Sequence, residues 1–169
     1  MRLIVGMSGS SGVIYGIRLL QLLAEKSDIE THLVMSPSAR MNISIETGWS
    51  VDDVESLADM VHSNKNIGAS IASGSFKTSG MIIAPCSMKT LSGVVNSFSD
   101  TLLIRAADVV LKERRKLILV PRETPLHSGH CELLLRASRL GASICPPVPA
   151  FYNQPSSIQD IIDHTVKRL

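Results

Sequence analysis

A glycine- and serine-rich run near the start of the chain constrains the fold most strongly. The run Val5–Gly12 closes an apolar strand, Leu3–Val5, and opens an apolar helix, Val13–Leu23. Glycine lets the backbone approach a ligand closely, and the free N–H groups and dipole at a helix start favour negative charge. A loop of this composition between a strand and a helix therefore predicts an anion site for a phosphate-bearing cofactor.

The familiar nucleotide motifs fit this loop poorly, which narrows the choice of cofactor. The glycines fall at positions 6, 9, 12 and 16, outside the G-x-G-x-x-G spacing of dinucleotide folds, and no G-K-[ST] of a P-loop occurs. The second strand, Thr31–Met35, continues into Ser36-Pro37 without the carboxylate that would hold a ribose. A mononucleotide remains, with a flavin as the natural candidate, and a tight turn that binds nothing is the alternative.

The composition bounds the class of protein. With 169 residues, 44% of them hydrophobic and 19% charged, the chain suits one domain with a buried parallel sheet, and part of its apolar surface is expected in a homo-oligomer. A net charge of +2 without a basic–aromatic face argues against nucleic acid, and no apolar run is long enough for a membrane span. Three scattered cysteines without metal-binding spacing favour a reducing, cytoplasmic setting.

Strands and helices alternate along the whole chain. The predicted strands are Leu3–Val5, Thr31–Met35, Gly80–Ala84, Leu117–Val120 and Ala142–Cys145, with a short edge strand within 60–65. The predicted helices are Val13–Glu25, Ser38–Glu46, Val51–Asp59, Ser87–Val95, Leu102–Arg114, Cys131–Leu140 and Ser157–Leu169. This order predicts an α/β fold, a three-layer α/β/α, Rossmann-like (flavodoxin-like), doubly wound parallel sheet in a single domain, 1–169. Ligands of such folds bind at the carboxyl ends of the strands.

Five segments at or near these strand ends carry a more specific signal. They are Ser8–Gly12, Pro85–Gly93, Arg105–Arg115, Val120–Leu126 and Pro149–Pro155. In this order, and over essentially the whole chain, they resemble the UbiX flavin prenyltransferases, which belong with the cysteine decarboxylases to a larger group of homo-oligomeric flavoproteins. The resemblance implies the three-layer fold named above, assembled as a homododecamer.

The activity that the resemblance implies is prenyl transfer to a flavin. Reduced FMN would receive a dimethylallyl group at N5 from dimethylallyl monophosphate, and a second bond to C6 would close a fourth ring. The prenylated FMN would then serve a partner decarboxylase of the UbiD type, in ubiquinone synthesis or aromatic acid breakdown. No metal is expected, since the adjacent pair Asp52-Asp53 does not continue into the D-D-x-x-D motif of magnesium-dependent prenyltransferases.

The resemblance also assigns roles to individual residues. The flavin-binding positions are Gly9, Ser10, Ser11, Ser36, Ser87, Met88, Lys89, Thr90 and Arg122. The positions for the phosphate of the prenyl donor are Arg105, Lys112, Tyr152 and Arg168. The positions for proton transfer are Ser11, Glu46 and Glu123.

Plainer roles compete at several of these positions. Ser36 and Ser87 are also expected helix caps, a role compatible with ligand contact. Lys112 fits a basic helix end that complements the dipole, and Glu123 fits a structural ion pair with its cationic neighbour. Glu46 closes a helix whose dipole disfavours a carboxylate at that end, which hints at a functional reason for its presence.

Two other functions remain open. A flavin-dependent cysteine decarboxylase of the same group is one, although Pro85–Thr90 has the sequence P-C-S-M-K-T where those enzymes typically carry P-A-S-A-N-T. A non-catalytic FMN carrier for a decarboxylase is the other. UbiX chains usually run on into a tail that packs over a neighbouring site and carries a tryptophan, whereas Trp49 is the only tryptophan here, so we expect closure of the prenyl site to differ. Cys86 is expected to be a buried small hydrophobe and not a nucleophile.

Overall fold

The structure, a computed structural model that describes residues 1–169, alternates strands with helices as the sequence predicts. The strands are β1 (Arg2–Met7), β2 (Glu30–Met35), β3 (Met60–His62), β4 (Gly80–Cys86), β5 (Lys116–Pro121) and β6 (Ser143–Ile144). The helices are α1 (Val13–Ala24), α2 (Pro37–Glu46), α3 (Val51–Glu55), α4 (Met88–Val95), α5 (Leu102–Lys112), α6 (Ser128–Arg139) and α7 (Ile158–Val166), with a 3-10 turn at Ser70–Ala72.

The six strands form one parallel sheet in the order β3-β2-β1-β4-β5-β6. The central strand β1 pairs with β2 on one side, from Arg2↔Glu30 to Met7↔Met35, and with β4 on the other, from Leu3↔Gly80 to Gly6↔Ile83. After β1 the chain adds β2 and β3 on one side of the sheet, and it then adds β4, β5 and β6 on the other side. The topological switch point therefore lies at the carboxyl ends of β1 and β4. The predicted Rossmann-like sheet is confirmed.

Helices cover both faces of the sheet, which explains why its strands are apolar throughout. On one face Val5 and Met7 of β1 pack with residues of α1, α2, α3 and α7. On the other face Ile4 packs with residues of α4, α5 and α6. Parallel strands buried on both sides lose the alternation of polar and apolar residues. Truncating a fully buried residue such as Leu20 to alanine would cost about 2–5 kcal/mol.

Several helix boundaries differ from the sequence prediction by one to four residues. The helix expected at Val51–Asp59 ends at Glu55 because the Asp59 carboxylate accepts hydrogen bonds from the Thr31 backbone N–H (2.7 Å) and hydroxyl (2.9 Å), which turns the chain toward β2. The helix expected to begin at Cys131 begins at Ser128. None of the helices has the length and apolar character needed to cross a membrane.

Candidate functional site

The serine at the end of β1 ties two strand ends together. Ser8 is fully buried, and its backbone N–H and its hydroxyl both donate to the carbonyl of Pro85, at 3.0 and 3.1 Å. In return, the Ser8 Oγ accepts a hydrogen bond from the backbone N–H of Ser87 at 2.8 Å. These bonds join the loop after β1 to the start of α4, so the backbone at the switch point is held in place beneath a ligand.

The next two residues form a cradle against α2. A Cβ atom at Gly9 would collide with the Cβ of Ser38, so only glycine lets this loop lie so close to the helix. The carbonyl of Ser10 accepts a hydrogen bond from Asn42 Nδ2 at 3.2 Å. The Ser10 hydroxyl, in contrast, is buried without any hydrogen-bond partner. A buried polar atom without a partner is costly, and a bound ligand could supply the missing acceptor.

Two helix starts converge beside this cradle. The Ser36 hydroxyl caps α2 by accepting from the Ala39 N–H at 3.1 Å, and the Ser87 hydroxyl caps α4 by accepting from the Thr90 N–H at 3.2 Å. They border a cleft of about 510 Å³. Its lining comprises Gly9, Ser36, Pro37, Ser38, Asn64, Lys65, Ser87, Lys89, Thr90, Asp100, Thr101, Leu103 and Ile104. Helix N-termini with capping hydroxyls favour phosphate, and the predicted helix caps are confirmed.

The charges of the cleft suit an anion as well. Neither Lys65 nor Lys89 forms an ion pair, so both ammonium groups are available to a phosphate. The residues present therefore fit the phosphate of a flavin mononucleotide. Asn64 and Lys65 were not among the candidate residues from the sequence, although they lie just after Ser63 in the loop that follows β3, where the strand-end rule could have found them.

Glu46 occupies a position that its sequence context did not suggest. Its carboxylate leaves the end of α2 and accepts hydrogen bonds from the N–H groups of Gly12 (2.7 Å) and Val13 (3.3 Å). The start of α1 therefore already holds an anion, and two of the N–H groups that the sequence suggested for a phosphate are taken. The unfavourable dipole of α2 is offset because the carboxylate lies at the favourable end of α1.

Arg122 and Glu123 follow β5 on the other side of β4. The Arg122 Nε donates to the carbonyl of Ser11 at 3.2 Å, which joins the loop after β5 to the loop after β1. Glu123 is exposed, and its Oε1 accepts a hydrogen bond from the N–H of Thr124 at 3.0 Å. The alternative of a structural ion pair was wrong, since Glu123 pairs with no cation. Its second oxygen, Oε2, has no hydrogen-bond partner.

The residues suggested for the donor phosphate lie away from this cleft. On α5, Arg105 bonds Asp108 at 3.0 Å and the carbonyl of Ala72 at 3.3 Å, and Lys112 bonds Glu113 at 2.6 Å. The Tyr152 hydroxyl lies 3.1 Å from the Nε2 of His164, on α7. Arg168 lines a separate cavity of about 360 Å³ at the end of α7. Within one chain, five of the nine predicted flavin positions line the cleft (Gly9, Ser36, Ser87, Lys89 and Thr90), whereas none of the predicted donor positions does.

The remaining candidate positions have structural contacts of their own. Met88 packs against the core beside α5, and Thr90 is buried with its hydroxyl accepting from Ser87 Oγ at 3.2 Å. Cys86 is fully buried, and burial raises the pKa of its thiol to about 12, which makes it a poor nucleophile. No group of three or more His, Cys, Asp or Glu side chains is arranged to hold a metal ion.

Comparison with known proteins decides between the families that such a site could serve. The model of the family described as Flavoprotein matches residues 1–169. This chain belongs to the Flavoprotein family. Within that family, the flavin prenyltransferase UbiX of Escherichia coli (strain K12) is 61% identical over 168 residues, which cover 99% of this chain and 89% of the relative. The chain is thus a member of the UbiX group of flavoproteins.

Solved structures of this flavoprotein group superpose on the chain almost throughout. A dodecameric FMN-dependent UbiX-like decarboxylase from Escherichia coli O157:H7 has a TM-score of 0.98 and 54% identity, with 99% of this chain and 92% of that chain covered. AnUbiX (PadA1), solved in complex with FMN and dimethylallyl pyrophosphate, has a TM-score of 0.96 and 48% identity, with 99% and 88% covered.

Proposed function

We propose that this flavoprotein is a flavin prenyltransferase, which transfers a dimethylallyl group from dimethylallyl phosphate to N5 and C6 of reduced FMN. The observation that carries the proposal is the likeness to AnUbiX, which was solved with FMN and a dimethylallyl donor together and shares 48% of its sequence with nearly the whole of this chain. The curated flavin prenyltransferases at 57–61% identity support the same assignment.

The flavin would be held at the switch point of the sheet. Its phosphate suits the starts of α2 and α4, where the hydroxyls of Ser36 and Ser87 and the ammonium groups of Lys65 and Lys89 converge. The unpartnered hydroxyl of Ser10, the residue after Gly9, is a further candidate donor. Arg122, fixed to the carbonyl of Ser11, extends this binding surface toward β5. Reduced FMN, when bound, supplies the nucleophilic N5 and C6 atoms.

The donor phosphate needs positive charge, because cleavage of its C–O bond places negative charge on the leaving group. Arg105, Lys112, Tyr152 and Arg168 supply cations and a hydroxyl, but none of them lines the cleft of their own chain. A homo-oligomer resolves this separation, since the outer face of α5 in one subunit can face the cleft of another. We therefore assign Arg105 and Lys112 to the site of a neighbouring subunit, in an assembly like the dodecamer of the similar structure.

Glu123 is the group that we assign to proton transfer. Its exposed carboxylate has one oxygen fixed by the N–H of Thr124 and leaves Oε2 free, so that this oxygen can accept a proton or return it to the departing phosphate. Glu46 has a different task, because its carboxylate already accepts two N–H groups and thereby orders the loop that carries Ser11.

The decisive experiment is anaerobic incubation with reduced FMN and dimethylallyl monophosphate or diphosphate, without metal, followed by mass spectrometry of the released flavin. We expect a flavin heavier by one five-carbon unit, and the two donors report which phosphate the site takes. Release of CO2 from an aromatic acid or a peptidyl cysteine without a prenyl donor would instead support a decarboxylase, the name given to the similar dodecamer. Tight binding of unmodified FMN with neither product would leave the carrier function.

Replacement of Glu123 by glutamine separates chemistry from binding. We expect Glu123→Gln to lower the rate of adduct formation by about 100-fold or more, because general acid–base catalysis of this kind contributes about 10²–10⁴-fold. FMN affinity, measured by quenching of flavin fluorescence, should stay within twofold of the unmodified protein. Glu132→Gln, at an exposed position on α6, is the matched control and should change neither quantity. Equal losses of binding and rate in Glu123→Gln would contradict the catalytic role.

The product and its setting complete the proposal. Prenylated FMN would be passed to a decarboxylase of the UbiD type, in ubiquinone synthesis or in aromatic acid breakdown. We place the enzyme in the cytoplasm, which suits its three unpaired cysteines. A decarboxylase purified from the same cells with the prenylated flavin bound to it would identify the pathway that this enzyme serves.

A further inference from the structure

The end of the chain contains a hydrogen-bonded row of side chains in which only Tyr152 has a role assigned above. The hydroxyl of Tyr152 lies 3.1 Å from Nε2 of His164, and the amide nitrogen Nδ2 of Asn153 lies 3.3 Å from Nδ1 of the same imidazole. The rings of Tyr152 and His164 pack edge to face, with centroids 5.5 Å apart and planes at 81°. His164 is thus held on both nitrogens by two consecutive residues of the loop before α7.

The chemistry of these partners fixes the tautomer of the imidazole. An amide nitrogen donates and cannot accept, so Nδ1 of His164 must carry the lone pair and Nε2 the proton. Nε2–H then donates to the oxygen of Tyr152. The Tyr152 hydroxyl therefore does not donate its own proton to His164, and it can donate a hydrogen bond to a ligand.

The carboxylates around His164 are already engaged. On the same helix, Asp160 accepts from Ser156 and Ser157, and Asp163 accepts from Arg18 at 2.7 and 3.0 Å. The carboxylates therefore do not compete with Tyr152 for the Nε2–H of His164. Arg168 lies four residues after His164, just beyond the end of α7; both residues line the cavity of about 360 Å³, and Arg168 forms no ion pair.

We propose that His164 is a positioning residue for the donor phosphate: Asn153 sets its tautomer, and its Nε2–H holds Tyr152 so that the tyrosine hydroxyl donates to a phosphate oxygen beside Arg168. This inference rests on the proposed function, because it takes Tyr152 and Arg168 as groups that bind the donor. No covalent step is involved. His164 acts through Tyr152 and does not itself touch the donor.

The first test is a double-mutant cycle between His164 and Tyr152. Dimethylallyl monophosphate is titrated calorimetrically into the full-length, FMN-loaded protein, and KM and kcat for the same donor are measured anaerobically. We expect His164→Leu to weaken donor binding and raise KM by about tenfold, as one hydrogen bond to a charged group would, with kcat changed less than twofold. In a Tyr152→Phe background the same replacement should have no further effect, since the partner is already lost. Additive effects would overturn the proposal.

Two further variants separate positioning from a general structural role. His164→Gln retains a donor for Tyr152 and an acceptor for Asn153, so it should restore most of the donor affinity. Asn153→Asp replaces the amide with a carboxylate that accepts from Nδ1–H, which turns Nε2 into an acceptor of the tyrosine proton, and donor affinity should fall although His164 and Tyr152 are both present. Unchanged affinity in Asn153→Asp, or a parallel loss of FMN affinity in His164→Leu, would overturn the proposal.

Failure of the proposed function would have a different signature. If the unmodified protein binds the donor, loses it in His164→Leu and yet forms no prenylated flavin, the positioning role stands and the transferase assignment falls. If the prenylated flavin forms with a donor affinity that is indifferent to His164, the transferase assignment stands and the positioning role falls. Absence of any donor binding to the unmodified protein would overturn both.

Discussion

The flavin set and the donor set of this protein differ in how the fold delivers them. The predicted flavin set follows β1, β2, β4 and β5, four neighbouring parallel strands, and its members lie along one edge because the carboxyl ends of such strands share one edge of the sheet. The donor set lies on the outer face of α5, in the loop before α7 and at the end of α7, and no member lines the flavin cleft. Sheet topology places the predicted flavin positions along one edge, and we propose that subunit packing completes the donor half.

Gly9 offers the largest effect on the flavin half alone. Because a Cβ at this position would collide with the Cβ of Ser38, which cannot move away by rotation, Gly9→Ala should displace the loop and weaken FMN binding by about 100-fold, the loss of two charge-assisted hydrogen bonds. Fluorescence titration with FMN measures it. Gly48→Ala is the matched control, since no neighbour lies within 4 Å of its Cβ and FMN affinity should not change. FMN affinity within twofold of the unmodified protein in Gly9→Ala would show that the cradle is not the flavin site.

Mixed oligomers test whether the donor half is built between subunits. Arg105→Ala and Glu123→Gln should each lower turnover by about 100-fold when they are assembled alone. If Arg105 serves the site of a neighbour, co-expression of the two variants restores both groups in about a quarter of the sites of randomly mixed oligomers. Turnover of the mixture is compared with that of each variant at equal flavin content.

The control for this experiment is a mixture of two variants of one half, Glu123→Gln with Gly9→Ala. Both residues lie at strand ends of the same sheet edge, so their mixture should remain as inactive as its parts. If Arg105 acted within its own subunit, the mixture with Glu123→Gln would likewise show no recovery, and the donor set would have to reach the cleft by a rearrangement of α5.

The same distinction governs how much the sequence could predict. The alternation of apolar strands and helices predicts the parallel sheet, and the position of Ser36 and Ser87 after buried strands predicts that they cap helices at one edge. Glu46 was different, since its role depends on reaching across to the N–H groups of Gly12, a contact between residues 34 positions apart. Periodicity and local propensity carry no signal for such a contact.

The donor residues show more plainly what the sequence does not predict. The sequence resemblance suggests Arg105, Lys112, Tyr152 and Arg168, but no spacing rule says which surface each one serves. The hydrogen bond between Tyr152 and His164 depends on how the loop before α7 returns onto that helix, and the exposed ring of Tyr152 gives no hydrophobic pattern from which to predict this. Strand ends are predictable because the sheet has a register, whereas a folded-back loop has none.

Serine caps allow a smaller and cleaner test of the flavin half. Ser36 and Ser50 both cap a helix by accepting a backbone N–H at 3.1 Å, but only Ser36 lines the cleft. Each serine-to-alanine change should destabilise the fold by about 1 kcal/mol through loss of the cap. Only Ser36→Ala should also weaken FMN binding, by about tenfold for one lost hydrogen bond to a charged group. Equal FMN affinities in the two variants, measured at matched folded fraction, would show that Ser36 acts only as a helix cap.

The smallest expected effect comes from a histidine pair at the edge of the flavin half. His32 Nδ1 lies 2.9 Å from His62 Nε2, and burial together with the His32 imidazole lowers the pKa of His62. Asn64 and Lys65 lie two and three residues after the end of β3, and both line the cleft. The edge strand that carries His62 thus supports one wall of that cleft.

The sign of the pH effect follows from the lowered pKa. Unfolded His62 takes up a proton near pH 6.5, before the folded residue does, so the unfolded state binds more protons and stability falls as the pH drops through that range. His62→Gln keeps a hydrogen-bond donor for His32 and removes this titration. Between pH 7.5 and 5.5 the melting temperature of the unmodified protein should fall, and that of His62→Gln should fall by about 2–4 °C less. Identical losses in the two proteins would show that the titration of His62 does not contribute to the acid sensitivity of the fold.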